Sequence, residues 1–382
     1  MDSEQRTQLR QAAAKLGAKY GHRYYLGKAR SNAKTTELWQ EAGALGYLGV
    51  HIPEEYGGGG GGIGDLAAVC EELGAAGCPL LMMVVSPAIC ATVISRFGTD
   101  EQKTRWLPGL TDGSRIFAFA ITEADAGSNA HRIATTASRD GDGWVLNGSK
   151  TYISGIDEAE AVLVVSRTTD ESTGRLKPVL FVVPTDAPGF TATPIEMELV
   201  APERQFTLFL DDVRLSADAL VGTEDAGLMQ LFAGLNPERI MASAFALGIG
   251  RYALDRAVDY ARTREVWGKP IGTHQAISHP LAASHIELEL AKLMMGKAAD
   301  LYDAGDDQGA GEAANMAKYA AGEATVRAVD QAIQTHGGNG LATEYGLATF
   351  LVASRLGRIA PVSREMILNF VAQNSLGLPR SY

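Results

Sequence analysis

The chain has 382 residues, of which 46% are hydrophobic and 21% charged, with a formal net charge of −11. That length and balance describe a globular protein with two or three lobes around sizeable cores. The negative charge argues against a nucleic-acid partner, because a phosphate backbone selects for clustered Lys and Arg; it leaves room for an anionic ligand in a local basic or amide-lined pocket.

In chain order, Met1-Asp2-Ser3-Glu4-Gln5-Arg6 is acidic early and lacks the apolar core of a signal peptide. No apolar run approaches the ~20 residues needed to span a bilayer. We read a cytoplasmic protein. Residues 1–117 read as a helical domain, with apolar and small residues at helical spacing through Leu38–Leu48 and Leu66–Leu73. Between these, Gly57 to Gly62 are six consecutive glycines, too costly in backbone entropy for a helix or strand. No Gly-Lys-Ser/Thr follows, so this is not a phosphate-binding P-loop. Either it is a permissive connector between helices, or its backbone closely approaches a ligand tail. Cys70, Cys78 and Cys90 are too few for a disulfide framework and match no zinc spacing. They read as buried thiols in a reducing compartment, and no metal site is expected.

From 118 to 222 the period changes. Ile133–Ala137, Trp144–Leu146, Ala161–Ser166, Val179–Val183 and Phe206–Leu210 are short runs rich in β-branched and aromatic residues. Asp140-Gly141-Asp142-Gly143 signals a hairpin turn, and Thr168–Lys177 and Thr185–Gly189 read as loops. This is a small antiparallel β domain. From 223 to 382 the helical period returns, in Leu254, Ala257, Val258 and Ala261, then in Ile286, Leu290, Leu293 and Met294. A third long helix is expected over Ala313 to Gln334, after a connection at Asp306–Gly311. Long helices with short joins suggest a four-helix bundle. The fold class is α+β: a helical domain, a central antiparallel β domain, and a C-terminal bundle.

Four segments carry more than architecture. They are Ile121-Thr122-Glu123-Ala124-Asp125-Ala126-Gly127-Ser128-Asn129, Asn147-Gly148-Ser149-Lys150-Thr151-Tyr152-Ile153-Ser154-Gly155, Arg264-Glu265-Val266-Trp267-Gly268-Lys269-Pro270 and Gln334-Thr335-His336-Gly337-Gly338-Asn339-Gly340. In order and separation they resemble the flavin-dependent acyl-CoA dehydrogenases, and the resemblance runs from about Pro53 to the C-terminus. It implies FAD as cofactor, an acyl-CoA substrate and an electron-transfer flavoprotein as acceptor.

The same resemblance implies site residues. Thr122 and Ser154 would contact the flavin, and Phe119 and Tyr152 would flank its ring. Ser128 would lie on the path of the acyl-CoA pantetheine or phosphate. Arg264 would reach the FAD pyrophosphate of a neighbouring subunit as a fork-shaped donor. Trp267 stands where the family has Phe, and Gln275 fills the adenine-side position. Gln334, Gly337 and Gly338 match the segment that reaches the diphosphate from the partner subunit, where glycines let the backbone approach phosphate. One FAD then needs two chains, which implies a homo-oligomer, a dimer of dimers.

The reaction so implied removes hydrogens from the α and β carbons of a thioester. Its base must be close to a weakly acidic α C–H, with a pKa raised by burial. Many family members carry this base in a late Tyr-Glu-Gly-Thr segment. Here the region reads Arg358-Ile359-Ala360-Pro361-Val362-Ser363-Arg364-Glu365, with Pro361 at the glutamate position. A second subgroup, including isovaleryl- and long-chain-type enzymes, carries the Glu in the preceding bundle helix, before an Arg. This chain has Asn236-Pro237-Glu238-Arg239 there. Glu238 is therefore the expected base. Arg239 is expected to steady that carboxylate or the CoA chain, and Ser363 to donate to phosphate in place of Thr. Pro237 suits a first helical turn, where a Glu would also complement the helix dipole without any catalytic role. Two other readings keep the same residues: an oxidase or monooxygenase using O2, or a degenerate paralogue that binds FAD or CoA.

Overall fold

The computed structural model describes residues 3–170, 173–225 and 227–380. The N-terminal part contains α1 (Ser3–Arg30), α2 (Thr36–Ala44), α3 (Ile63–Ala75), α4 (Met82–Val85), α5 (Thr92–Phe97) and α6 (Asp100–Asp112). A π-helical turn at Ser86–Ala91 joins α4 to α5. At the start of α6, Thr99 Oγ1 accepts from Gln102 N at 3.2 Å and Gln102 Oε1 accepts from Thr99 N at 3.0 Å. This reciprocal cap contributes about 1 kcal/mol.

The glycine run is a connector between the turn at Glu54–Tyr56 and α3. All six of its N–H groups are spent within the chain: Gly57 to Gly61 donate to backbone carbonyls, and Gly62 to Asp65. None is left to cradle a ligand. The three cysteines are buried and unpaired, as expected.

Strands β1 (Phe117–Ala120), β2 (Thr136–Asp140), β3 (Gly143–Ser154), β4 (Ala161–Thr169), β5 (Leu176–Pro184), β6 (Phe190–Ile195), β7 (Gln205–Leu215) and β8 (Leu220–Val221) form one sheet. Its order is β6-β7-β3-β2-β4-β5-β8, with β1 also on β4. Pairing is mainly antiparallel, but β1 and β2 each run parallel to β4. The Asp140–Gly143 hairpin closes as expected, with those two residues paired. Residues 171 and 172, inside the expected loop Thr168–Lys177, lie outside the described residues. Both faces of β4 are buried. Ala161, Leu163 and Val165 pack with Val93, Ile94, Trp106 and Leu107 from the helices, while Val162 and Val164 pack with Phe181, Leu208 and Leu210. Burial on two sides explains a continuous apolar run in place of alternation.

The C-terminal part contains α7 (Gly227–Thr263), a hairpin of β9 (Glu265–Val266) and β10 (Lys269–Pro270), α8 (Gln275–Asp303), α9 (Asp307–His336), α10 (Gly338–Leu341), α11 (Thr349–Ile359) and α12 (Arg364–Phe370). Helices α7, α8, α9 and α11 pack as a bundle. Its core is continuous with that of α1–α3, joining Leu16, Leu38, Leu66 and Leu73 to Ile240, Leu247, Leu288 and Ala321. Asp303, at the end of α8, accepts from Ile63 N at 2.7 Å and Gly64 N at 3.2 Å, capping α3.

Two boundaries differ from the sequence reading. Helix α7 starts at Gly227, so Pro237 lies in its interior and costs a backbone hydrogen bond there. The α8–α9 join is shorter than Asp306–Gly311, because Asp306 Oδ1 accepts from Gly309 N at 2.9 Å and starts α9 at Asp307. No helix among the described residues is long and apolar enough to cross a membrane.

Candidate active site

One group of expected residues meets at a corner of the sheet. Phe119 is buried near the end of β1, and Thr122 follows it in the next loop. Thr151 N donates to Thr122 O at 2.9 Å, fastening that loop to β3. Beyond Thr151, the β3–β7 ladder shifts register between Lys150 and Ile153. At this bulge Tyr152 has φ 57° and is 60% exposed. A left-handed tyrosine is strained backbone, retained only where the surroundings enforce it. Ser154 Oγ lies 3.0 Å from Gln205 Oε1, to which it donates. Ser128 is exposed in the loop beyond, after the bridge between Glu123 and Ala126.

A second group collects at one end of the bundle. The β9–β10 turn has Trp267 at φ 53° and Gly268 at φ 75°, the two positive φ values of a type I′ hairpin. Trp267 is 88% exposed, and Arg264 and Gln275 are exposed near it in the chain. Arg264 N donates to Tyr260 O at 2.8 Å. Tyr260 stacks on His336 with centroids 4.2 Å apart, and its hydroxyl accepts from Asn339 Nδ2 at 3.0 Å. Gln334, Gly337 and Gly338 are therefore held at the same end, and exposed. A Cβ on either glycine would meet nothing within 4 Å. Among the described residues, no hydrogen bond or ion pair joins this group to Phe119, Thr122, Tyr152 or Ser154.

Glu238 stands in the interior of α7. The helix-dipole explanation for a Glu at this position falls, since that effect fades beyond the first turn. It makes no hydrogen bond or ion pair among the described residues. It keeps partial exposure, yet burial pushes its carboxyl up to about 7, against the opposing charges of Arg239 and Lys318. Glu238 is thus a half-buried carboxylate with no hydrogen-bond or ion-pair partner among the described residues. The fully buried Cys90 thiol on the π-helical turn feels its charge.

Arg239 does not pair with it. Its Nη1 turns back along α7 to Leu235 O at 3.0 Å and lies 3.5 Å from Asn236 Oδ1. Its Nε is buried without a partner among the described residues. Asn236 Nδ2 in turn donates to Asp307 O at 3.1 Å, tying this turn of α7 to the start of α9. Ser363 caps α12, its Oγ accepting from Met366 N at 3.3 Å. Glu365 is exposed and ion-paired with Arg364 at 2.6 Å, which holds it below its ordinary value. A paired, acidic, exposed carboxylate is a poor base, so Glu238 is the better candidate on chemistry.

Two buried lysines escaped the sequence reading. Lys318 on α9 donates to Val362 O. Lys150 pairs with Glu123 at 2.8 Å. For Lys318 a signal existed: it falls on the same helical face as Ala314 and Ala321, a charge on a buried stripe.

Residues 3–114 match the acyl-CoA dehydrogenase N-terminal domain, 118–213 the middle domain and 225–376 the C-terminal domain. The acyl-CoA dehydrogenase FadE12 of Mycobacterium tuberculosis is 67% identical over 382 residues, covering 100% of this chain and 98% of that protein. A solved glutaryl-coenzyme A dehydrogenase in complex with glutaryl-CoA superposes with a TM-score of 0.94 at 30% identity, covering 100% of this chain and 98% of the other. The glutaryl-CoA dehydrogenase of Mycobacterium smegmatis in complex with FADH2 gives 0.91 at 28% identity, covering 100% and 97%. With every region matched in order and a relative this similar from end to end, the chain belongs to the acyl-CoA dehydrogenases, flavin-dependent oxidoreductases acting on acyl-CoA.

Proposed function

We propose that this protein oxidises the bond between the α and β carbons of an acyl-CoA thioester to the 2-enoyl-CoA, with Glu238 taking the α proton. The observation that carries this reading is the state of Glu238: unpaired, reachable, and pushed by burial to about 7. A base near the working pH combines a useful ionised fraction with enough basicity for a weak carbon acid. Lys318 and Arg239 offset part of the burial cost and keep the carboxylate from staying fully protonated.

FAD is the cofactor, and when bound it supplies the hydride acceptor. The residues present fit it. Tyr152 offers an exposed aromatic face on an enforced bulge, with the hydroxyls of Thr122 and Ser154 close by. Gly337 and Gly338 leave open space over a bare backbone, as a diphosphate needs. Phe119 closes the apolar side. Ser128 is held for the CoA chain, and Ser363 for phosphate. Arg239 acts on the base through its charge, without a hydrogen bond to it.

The protein works as a homo-oligomer, a dimer of dimers. Supporting this, Arg264, Trp267, Gln275, Gln334, Gly337 and Gly338 are exposed and unconnected to their own chain's sheet corner. A second chain brings them to the FAD. The electrons then pass to an electron-transfer flavoprotein.

The test is the visible spectrum of the purified protein under anaerobic conditions, before and after a panel of acyl-CoA thioesters. Bleaching of the flavin band by one thioester class is expected. The Glu238→Gln variant should retain FAD but lose this reduction by about 10³-fold or more. Normal reduction in that variant removes Glu238 as the base. A flavin that no thioester bleaches removes the dehydrogenase reading.

A further inference from the structure

The Glu123–Lys150 pair joins the two arms of the sheet corner from beneath. Lys150 is wholly buried and Glu123 is 8% exposed. Lys150 Nζ donates to Glu123 Oε1 at 2.8 Å and to Ile121 O at 3.1 Å. Glu123 also accepts from Ala134 N at 2.6 Å, Thr135 N at 3.0 Å and Thr135 Oγ1 at 2.5 Å. Both carboxylate oxygens of Glu123 and two of the three N–H groups of Lys150 are thus engaged by neighbours on either side of Thr122.

Such an arrangement is costly for stability alone. Taking two ions out of water costs several kcal/mol per ion, and an apolar pair of similar volume is often as stable or more so. What a buried pair tied by several hydrogen bonds does supply is a single geometry. Here that geometry concerns three backbone points. Ile121 O and Glu123 bracket Thr122. Lys150 is the last residue in register before the bulge that turns Tyr152 outward and leads to Ser154. Thr135, fully buried between the arms, presses on β3 at Gly148, where any Cβ would sit 2.5 Å from its Oγ1. The glycine of Asn147-Gly148-Ser149-Lys150 has φ 151°, so both space and backbone exclude a side chain. The Thr122 loop, fastened to β3 at its surface by Thr151 N, is thereby held to the same strand from beneath as well.

We propose that the buried Glu123–Thr135–Lys150 cluster is a positioning device for the flavin: it sets the spacing and tilt of Thr122 against Tyr152 and Ser154. These residues do not touch the cofactor; they act through the ones that do. The inference rests on the reading of that corner as the flavin site.

The test compares the wild type with Lys150→Met, which keeps length and loses the charge. Three quantities are read: the FAD dissociation constant by fluorescence titration, the visible circular dichroism of the flavin at saturating FAD, and its midpoint potential. Lys150→Met is expected to weaken FAD by about tenfold or more and to change the visible dichroism and potential of the FAD that remains bound. A merely structural lysine would lower the unfolding temperature and leave the saturated spectrum and potential at wild-type values; that result overturns the proposal. If Lys150→Met does not fold, Thr135→Val answers instead, with a smaller change in the same direction expected and an unchanged affinity and spectrum overturning it. A wild-type protein that takes up no FAD removes the flavin-site reading and the proposal together. Wild-type binding with unaltered variants removes only the proposal.

Discussion

Lys318, buried on α9, donates its ammonium to the backbone carbonyl of Val362, in the segment where other family members carry their base. The same ammonium and the guanidinium of Arg239 are the cations that face Glu238, with the Cys90 thiol on the π-helical turn and Glu365 on α12 at the edge of the group. Burial draws Lys318 down to about 8, so it is still largely charged at pH 7. Both cations lower the Glu238 pKa. Removing one raises it, and a base with a raised pKa is ionised to a smaller fraction at neutral pH.

Lys318→Met should therefore move the acidic limb of the pH–rate profile to higher pH. A shift of about half to one unit gives a two- to fivefold slower reductive half-reaction at pH 7. The rate should recover toward the wild-type plateau as pH rises. Stopped-flow flavin bleaching across pH 6 to 9, an interval on the order of three units around the base, checks this. A plateau that falls without any shift of the limb would assign Lys318 to holding Val362 alone.

A second carboxyl is pushed as far as Glu238 but belongs to no expected site. Glu203 is 5% exposed; its Oε1 accepts from Leu81 N at 3.0 Å, and its other oxygen has no partner among the described residues. Burial, aided by the nearby Glu158, pushes it up to about 7 from an ordinary 4.5. The folded state thus keeps a proton that the unfolded chain releases. Its contribution is fully present below about pH 4.5, is lost as pH rises through about 7, and becomes a cost above that. Glu203→Gln should stabilise the protein by about 1–3 kcal/mol at pH 8 and be near neutral at acid pH. Thermal unfolding at both pH values measures the difference. Equal effects at the two values would mean that Glu203 does not titrate there.

The order of domains and the motif loops were legible because their chemistry is local. Asp140-Gly141-Asp142-Gly143 states a hairpin, and Trp267-Gly268 is a turn in whatever fold it meets. The loops that carry Thr122 and Ser154, and Gly337 with Gly338, were visible as turns for the same reason; their roles at a flavin came only from the resemblance. Less legible was anything that depends on what packs beyond the helix. Pro237 reads as a helix start, yet α7 begins at Gly227 because tertiary packing outweighs one lost hydrogen bond. Gly309 and Gly311 read as a linker, yet they sit in α9; the carboxamide of Asn236 lies 3.4 Å from where a Cβ of Gly311 would be. Periodicity found the stripe Ile286, Leu290, Leu293 and Met294, but could not say that the first three face away from the core while Met294 packs against it.

Gly337 tests the backbone side of the proposed cofactor site. It has φ 59° and ψ −136°, a conformation essentially reserved to glycine, while open space surrounds it. An alanine there suffers backbone strain and no clash. Gly338 has no such strain, and it is equally open. Gly337→Ala should lose about 1–3 kcal/mol of stability and also weaken FAD. Gly338→Ala should weaken FAD with stability within about 0.5–1 kcal/mol of wild type. FAD titration beside thermal unfolding of the apoprotein separates the two. If Gly338→Ala binds FAD normally, the diphosphate does not approach that glycine.

Ile286, Leu290 and Leu293 stand 58%, 61% and 70% exposed on one face of α8, at i, i+4 and i+7. A contiguous apolar stripe on a long helix suits a partner surface, and under the proposed function a second copy is that partner, since the proposed cofactor residues at the bundle end also call for one. The two needs are linked through α8 itself, since Gln275 opens the helix whose middle carries the stripe. Leu290→Glu would bury a carboxylate in that contact at a cost of several kcal/mol. The expected result in sedimentation velocity is a smaller species. FAD should be lost with it, because Arg264, Trp267 and Gln275 then reach no neighbouring flavin. The isolated chain should keep its helical circular dichroism, since Leu290 contributes little to its own core. A Leu290→Glu protein that keeps both its assembly and its FAD would move the interface to another face of the bundle.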